Sequence, residues 1–327
     1  MKHTRRRFIQ LAGAATLVPA APAIVRAQAG YPNRPIKLIV GQAAGSASDI
    51  VARLFANFLS EKMGQQFIIE ARPGAAGNIA TEAVTHMAPD GYSLLLLNAQ
   101  NTINVALYEK LNFDFARDIA PVGKVEDVPL VMEVNPSVPA KTVPEFIAYA
   151  KANPGKLNMA SAGIGGPQHL AGELFKSMAG VEMTHVPYRG STPAITDMVA
   201  GQVQVMFDVT PTALPQIKGG RLRALGVTTL KRLDSLPDVP TIDSTVKGYE
   251  TTAWIGIGAP KGTPPEIVAA LNKQTNAAVL DPTIKQRLAD LGAAAAEPNS
   301  PAEFTKFIAD DIAKLTKVIK SAGIKPQ

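Results

Sequence analysis

Short apolar runs alternate with stretches of helical periodicity along most of this 327-residue chain, and that rhythm most narrows the folds open to it. IKLIV (36–40) precedes a helical pattern over 49–63, QFIIE (66–70) precedes another over 77–88, and YSLLLLN (92–98) closes the series. A second series runs through a helical 143–152, KLNMAS (156–161), a helical 168–179, MTHVPY (183–188), a helical 192–200 and VQVMFDV (203–209). Strand, helix and strand in this order predict an α/β fold with a mostly parallel sheet, because a parallel pair needs a crossover and the crossover helix covers the sheet. Ligands of such sheets lie beyond the carboxyl ends of the strands.

Two of those strand ends empty through glycine and small hydroxyl residues onto a helix start. They are GQAAGSASD (41–49) and SAGIGGPQ (161–168). Such loops expose backbone N–H groups at the positive end of a helix dipole, a natural anion site. In the first, Ser46 and Ser48 offer hydroxyls beside the N–H groups of Ala47 to Asp49. Asp49 is a first-turn acid paired with Arg53 by its i,i+4 spacing, or else a ligand contact, the former being favoured. ARPGAAGN (71–78) brings Asn78 to the same edge, with Arg72 either on an anion or merely exposed. NAQNTIN (98–104), which holds Gln100, reads as a polar tip suited to a ligand with donors and acceptors, or as an ordinary loop. Farther on, VPYRGSTPAITDM (186–198) sets Tyr188 and Arg189 at a strand end, with Arg189 the expected counter-charge. FDVTP (207–211) brings Asp208 and Thr210 to another strand end, where either could face a ligand or cap the next turn.

Arg5-Arg6-Arg7-Phe8-Ile9 heads the apolar run 11–25, which ends in Ala27-Gln28-Ala29. This predicts a Tat-type secretory signal over 1–29, cleaved near Ala29, and a periplasmic protein. Five of the 33 basic residues and none of the 27 acidic ones lie in it, which leaves 28 against 27. The basic excess therefore belongs to the signal, and no nucleic-acid surface is expected. Roughly 298 residues remain, enough for two lobes. PLVMEV (129–134) and AWIGIGA (253–259) are the expected crossings, giving one lobe from 30–128 plus 253–327 and another from 129–252. Thr142–Glu145, Thr263–Glu266 and Ser300–Glu303 fit capping boxes at three helix starts.

Enzyme signatures fail. G-x-S-x-G and the P-loop are absent, G-x-G at 163–165 lacks its third glycine, and with no cysteine there is neither a thiolate metal site nor a Cys nucleophile. His86, His169 and His185 have no metal-ligand spacing, so no metal, cofactor or catalytic residue is expected. The rival enzyme reading is a hydrolase using Ser48 with His169; a second rival is a sensor acting through a signalling partner.

GSASDIVARL, IEARPGAAGNIA, APDGYSLLL, NPSVPAKTVPEF, ASAGIGGPQHLAGELF, HVPYRGSTPAITDMVAGQVQVMFD, LRALGVTT, LPDVPT and APKGTPPEIV follow one another along the chain. In this order they resemble the periplasmic solute-binding proteins of tripartite tricarboxylate transporters, the Bug (Bordetella uptake gene) family. The resemblance implies a type II periplasmic binding fold, two α/β lobes joined by two crossing strands around a ligand cleft. It implies a receptor that captures a small organic carboxylate and delivers it to a membrane transporter of one large and one small subunit, and the receptor itself is expected to be a monomer. By position it assigns Ser46, Ala47, Ser48 and Asp49 to one side of the ligand, and Ser161, Gly165, Gly166, Pro167, Tyr188, Arg189 and Asp208 to the other. The chain departs from the family at Gly41-Gln42, where a Pro-flanked aromatic is usual, and at the 98–104 tip. Gln42 and Gln100 are thus expected to reshape the pocket beyond the carboxylate.

Overall fold

The computed structural model describes residues 30–321, 323 and 324. The expected signal over 1–29 lies outside the described residues. The first series folds as β1 (Ile36–Val40), α1 (Ala47–Met63), β2 (Phe67–Ala71), α2 (Asn78–Thr85) and β3 (Ser93–Asn98), with β1 parallel to both β2 and β3. β1 and β3 are mostly apolar because both faces of the sheet are covered there, whereas β2, at the edge, leaves Ile68 exposed. Ile36, Leu38, Val40, Leu94 and Leu96 enter one core with Val51, Phe55 and Leu59 of α1, while Ile39, Leu95 and Leu97 enter a second with Ala80 and Val84 of α2.

After β3 come α3 (Ala99–Leu107), the short α4 (Phe115–Asp118) and β4 (Ile119–Val134). The predicted polar tip at 98–104 is instead the start of a helix. Asn98 Oδ1 accepts from the Gln100 N–H at 3.1 Å and Asn101 Oδ1 accepts from the Asn98 N–H at 2.8 Å. That is a capping box with asparagine in the third position, where glutamate or glutamine is usual.

The second series follows as α5 (Val143–Ala152), β5 (Asn158–Ser161), α6 (Pro167–Ala179), β6 (Thr184–Pro187), α7 (Ser191–Val199), β7 (Val205–Val209), α8 (Thr210–Lys218) and β8 (Arg223–Val227). β5 is parallel to β6 and β7. The chain returns through β9 (Thr252–Pro260) and ends in α9 (Pro265–Leu280), α10 (Pro282–Asp290), β10 (Ala294–Ala295) and α11 (Pro301–Ser321). Of the expected capping boxes, Thr142 and Ser300 accept the N–H groups of Glu145 and Glu303. Thr263 does not cap α9, because its hydroxyl donates to Pro260 O at 2.7 Å and Pro264 holds the cap position.

Strands follow the order β2-β1-β3-β9-β4-β7-β5-β6, with β8 and β10 also on β4. β4 joins the two halves. It pairs antiparallel with β9 as far as Pro129, and from Leu130 onward with β7 and β8. Pro129 has no N–H to give the ladder, so the strand changes partners at a residue that loses little by it. Thr228 secures this junction, its Oγ1 accepting from the Leu130 N–H at 3.1 Å while its carbonyl accepts from the Thr251 N–H at 3.1 Å. The second lobe has its own core, Leu130, Met132, Val134, Phe146, Phe175, Phe207 and Tyr249 among its members. α11 bridges the halves, burying Leu315, Val318 and Ile319 against Ile103 and Leu107 of α3 and Leu170 of α6.

Candidate functional site

A cleft of about 440 Å³ opens between the two halves at the carboxyl ends of their strands. One side is built by the start of α1 (Ala47, Ser48, Ile50, Val51) and the start of α3 (Asn98, Ala99, Gln100). Facing them are the starts of α6 (Pro167), α7 (Ser191) and α8 (Pro211, Thr212). The crossing strands supply Glu126, Val128, Ala253, Trp254 and Ile255, and Leu291 and Ala293 complete the wall. Five helix N-termini therefore meet here, and no lysine, arginine or histidine is among the lining residues. Each N-terminus carries partial positive charge and first-turn N–H groups without an intrahelical acceptor, so the arrangement attracts an anion through the backbone.

Sequence chemistry holds these ends in place. Ser46 caps α1 by accepting the Asp49 N–H at 3.3 Å, and buried Asp49 binds the Gly45 N–H and Arg53 Nε, each at 2.9 Å. The Arg53 hydrogen bond, then that from Gly45, holds the Asp49 carboxyl below its ordinary range against the effect of burial. Asp49 thus fixes the loop from behind. Asp208, fully buried on β7, plays a similar part in the other half by accepting from Ser191 Oγ at 3.2 Å and Thr212 Oγ1 at 2.5 Å. Ser191 Oγ in turn accepts from Gln168 Nε2 at 3.2 Å, so three helix starts are tied to one carboxylate. Burial pushes Asp208 up to about 6, with those hydrogen bonds opposing it.

The loop 161–168 is braced by two histidines. His169 Nδ1 accepts the Gly165 N–H at 3.0 Å, His185 Nε2 lies 2.6 Å from Ser161 Oγ, and the two rings stack at 3.7 Å. Burial lowers His169 to about 3, with His185 and Lys176 adding to it, and lowers His185 to about 4, with Lys176 adding to it. His169 is engaged with the loop backbone, whereas Ser48 lines the cleft.

Of the residues singled out in sequence, Ala47, Ser48, Gln100 and Pro167 line the cleft. Ser46, Asp49, Ser161, Gly165, Gly166 and Asp208 stand in or behind the loops that shape it. Asn78 is buried and accepts from Asn104 Nδ2 at 2.7 Å, tying α2 to α3, and Gln100 Nε2 donates to Asn104 Oδ1 at 2.8 Å. Gln42 lies beside Gly77, outside the lining, with its Oε1 buried and unbonded. Tyr188 donates its hydroxyl to Asp197 at 2.7 Å, and Arg189 is exposed and outside the lining. Thr210 donates to Pro129 O at 3.2 Å and to Gly292 O.

Glu126, Trp254, Ser191 and Thr212 were not foreseen. Ser191 and Thr212 lie within two residues of positions that were, and helix-start geometry would have favoured them. Trp254 is the only tryptophan, held by its Nε1 donating to Asp311 Oδ2 at 3.0 Å. Glu126 gave no such signal, because it stands in the charged stretch Lys124-Val125-Glu126-Asp127 of β4, ahead of the crossing expected at 129–134.

The sequence profile of the tripartite tricarboxylate transporter family receptor, TctC, matches residues 51–324. The chain belongs to this receptor family. Protein BugT of Bordetella pertussis is 34% identical to this receptor over 321 residues, covering 97% of this chain and 96% of its own. Among solved structures, that of R. palustris Rpa4515 with adipate is 38% identical with a TM-score of 0.79, over 91% of the receptor and all of that chain (100%). MatC of Rhodopseudomonas palustris with bound malate is 32% identical with a TM-score of 0.74, over 88% of the receptor and 100% of that chain. The fold is accordingly that of the periplasmic binding proteins of this family, and no helix among the described residues is long and apolar enough to cross a membrane.

Proposed function

We propose that this receptor captures a small organic carboxylate between its lobes and delivers it to a tripartite tricarboxylate-type membrane transporter, a partner of one large and one small integral subunit. It does so as a periplasmic monomer exported by the Tat route, without turning the ligand over. The observation that carries this reading is the convergence of five helix N-termini on one cleft with no basic side chain in its lining. A carboxylate placed there exchanges water for preorganised N–H donors, which lowers the cost of its desolvation. Relatives solved with adipate and malate support the same ligand class. The lobes we assign are 30–128 plus 253–327 and 129–252, hinged where β4 changes partners. A ligand that touches both lobes only when they are closed shifts the population toward closure by its differential affinity.

A thermal-shift screen of mono-, di- and tricarboxylates, amino acids and neutral analogues tests this directly. A ligand at 100 times its Kd should add about 2.7 kcal/mol of stability. Melting raised by neutral compounds but by no carboxylate would defeat the proposal.

A further inference from the structure

The cleft contains one group that the anion-binding helix ends do not explain. Among the described residues lining it, Glu126 alone is ionisable, and the residue is 2% exposed with Oε2 buried and lacking any hydrogen-bond partner. The local fold aims it there. Against β9, Lys124 pairs with Gly256 but Glu126 pairs with Ile255, so β4 carries one extra residue at Val125. This bulge changes the phase of the strand. Val122 and Val125 enter the core behind the sheet, whereas Glu126 and Val128 line the cleft. Around Glu126 the lining is largely apolar, with Ile50, Val51, Val128, Ile255 and Leu291.

Charges near it give no counter-ion. Asp127, next along the strand, is already paired with Lys124 at 2.9 Å. Asp311 of α11 is bonded to Trp254 and Thr102, and Asp208 is held beneath Ser191 and Thr212. α1, α3, β9 and β10 bring no charged side chain to the lining. An isolated carboxylate in such a place keeps its proton rather than its charge, and an anionic ligand beside it reinforces that choice.

We propose that Glu126 is the specificity-determining residue of the cleft, its protonated carboxyl donating a hydrogen bond to an acceptor oxygen at the ligand end remote from the anchored carboxylate. This rests on the carboxylate reading given above. The favoured ligands are then carboxylates with an apolar body and a carbonyl or second carboxyl at the far end. An ammonium at that end is disfavoured, because the surrounding helix N-termini repel cations. Burial, with Asp127 adding to it, pushes Glu126 up to about 8, in keeping with a proton held at neutral pH.

Calorimetric titration of the purified protein with four matched short-chain ligands tests the assignment: an α,ω-diacid, its monoamide, the plain monoacid and the ω-amino acid. The diacid and monoamide should bind about tenfold or more tightly than the other two, the value of one well-made hydrogen bond in a desolvated site. Glu126→Gln, whose amide still donates, should keep the preference, and Glu126→Leu should reduce it to about twofold or less. Diacid affinity should fall above about pH 8 in the native protein but not in Glu126→Gln. Equal binding of diacid and monoacid, tighter binding of the ω-amino acid, or an unchanged preference in Glu126→Leu overturns the role of Glu126. The native ligand series decides even if Glu126→Leu fails to fold. Binding of neutral analogues but of no acid overturns the carboxylate reading as well, a result distinct from acids binding without discrimination.

Discussion

His169 and His185 stand stacked and neutral behind the second loop, while Glu126 stands neutral in the cleft, and the two cases pull stability in opposite directions with pH. A histidine lowered from 6.5 to about 3 or 4 binds fewer protons folded than unfolded across that interval, so its contribution is present above about pH 6.5 and is lost on acidification. Glu126, raised from 4.5 to about 8, contributes stability that is full below pH 4.5 and lost as pH rises through about 8. Each group imposes a slope of up to about 1.4 kcal/mol per pH unit inside its window. Denaturant titrations over a pH series should therefore show His185→Gln flattening the acid limb of the native stability curve and Glu126→Gln flattening the alkaline limb. Parallel curves for all three proteins would contradict this account. Sequence spacing was enough to pair Asp49 with Arg53, because i,i+4 neighbours on a helix meet wherever the helix sits. Glu126 was not legible, since its direction depends on a bulge set by pairing with a strand some 130 residues away in sequence.

Helix starts in this receptor serve both as structural caps and as walls of the cleft. Asn98 caps α3 and lines the cleft, whereas Thr142 caps α5 away from it. Removing either cap by alanine should cost about 1 kcal/mol of stability. Asn98→Ala should in addition weaken ligand binding several-fold, because the first turn of α3 that carries Gln100 loses its anchor. Thr142→Ala should leave binding unchanged, and equal effects of the two substitutions on affinity would count against α3 as part of the site. Most strands and helices were readable from periodicity, because a strand buried on both faces and a helix with one apolar stripe leave different patterns. The start of α3 was missed for a chemical reason. Its amides look like loop residues until Asn101 bonds Thr81, and Asn104 bonds Asn78 and Ala76 O, across the lobe interior.

At the scale of the whole molecule, contacts beyond β4 and β9 also join its two halves. Thr210 reaches Gly292 O beside the crossing, and α11 lies across α3 and α6 with Leu107 and Leu170 in one apolar cluster. The two series of strands and helices were legible from their repeated periodicity. The bridging role of α11 was not, because an amphipathic stripe shows that a face is buried without naming what buries it. Leu107 also lies against the second loop, where a Cβ placed on Gly165 would come 2.3 Å from its Cδ2. Gly165 has φ of 71°, a conformation that suits glycine and lets the loop approach α3 closely. Leu107→Ala removes the side chain that fills this approach, so it should cost about 2–4 kcal/mol of stability and should also loosen one lobe from the other. Small-angle scattering of the ligand-free protein should then give a larger radius of gyration than native, and a saturating carboxylate should bring the two values together. Destabilisation without any change in radius would mean that the cluster only fills space, and that the hinge at Pro129 alone sets the separation of the lobes.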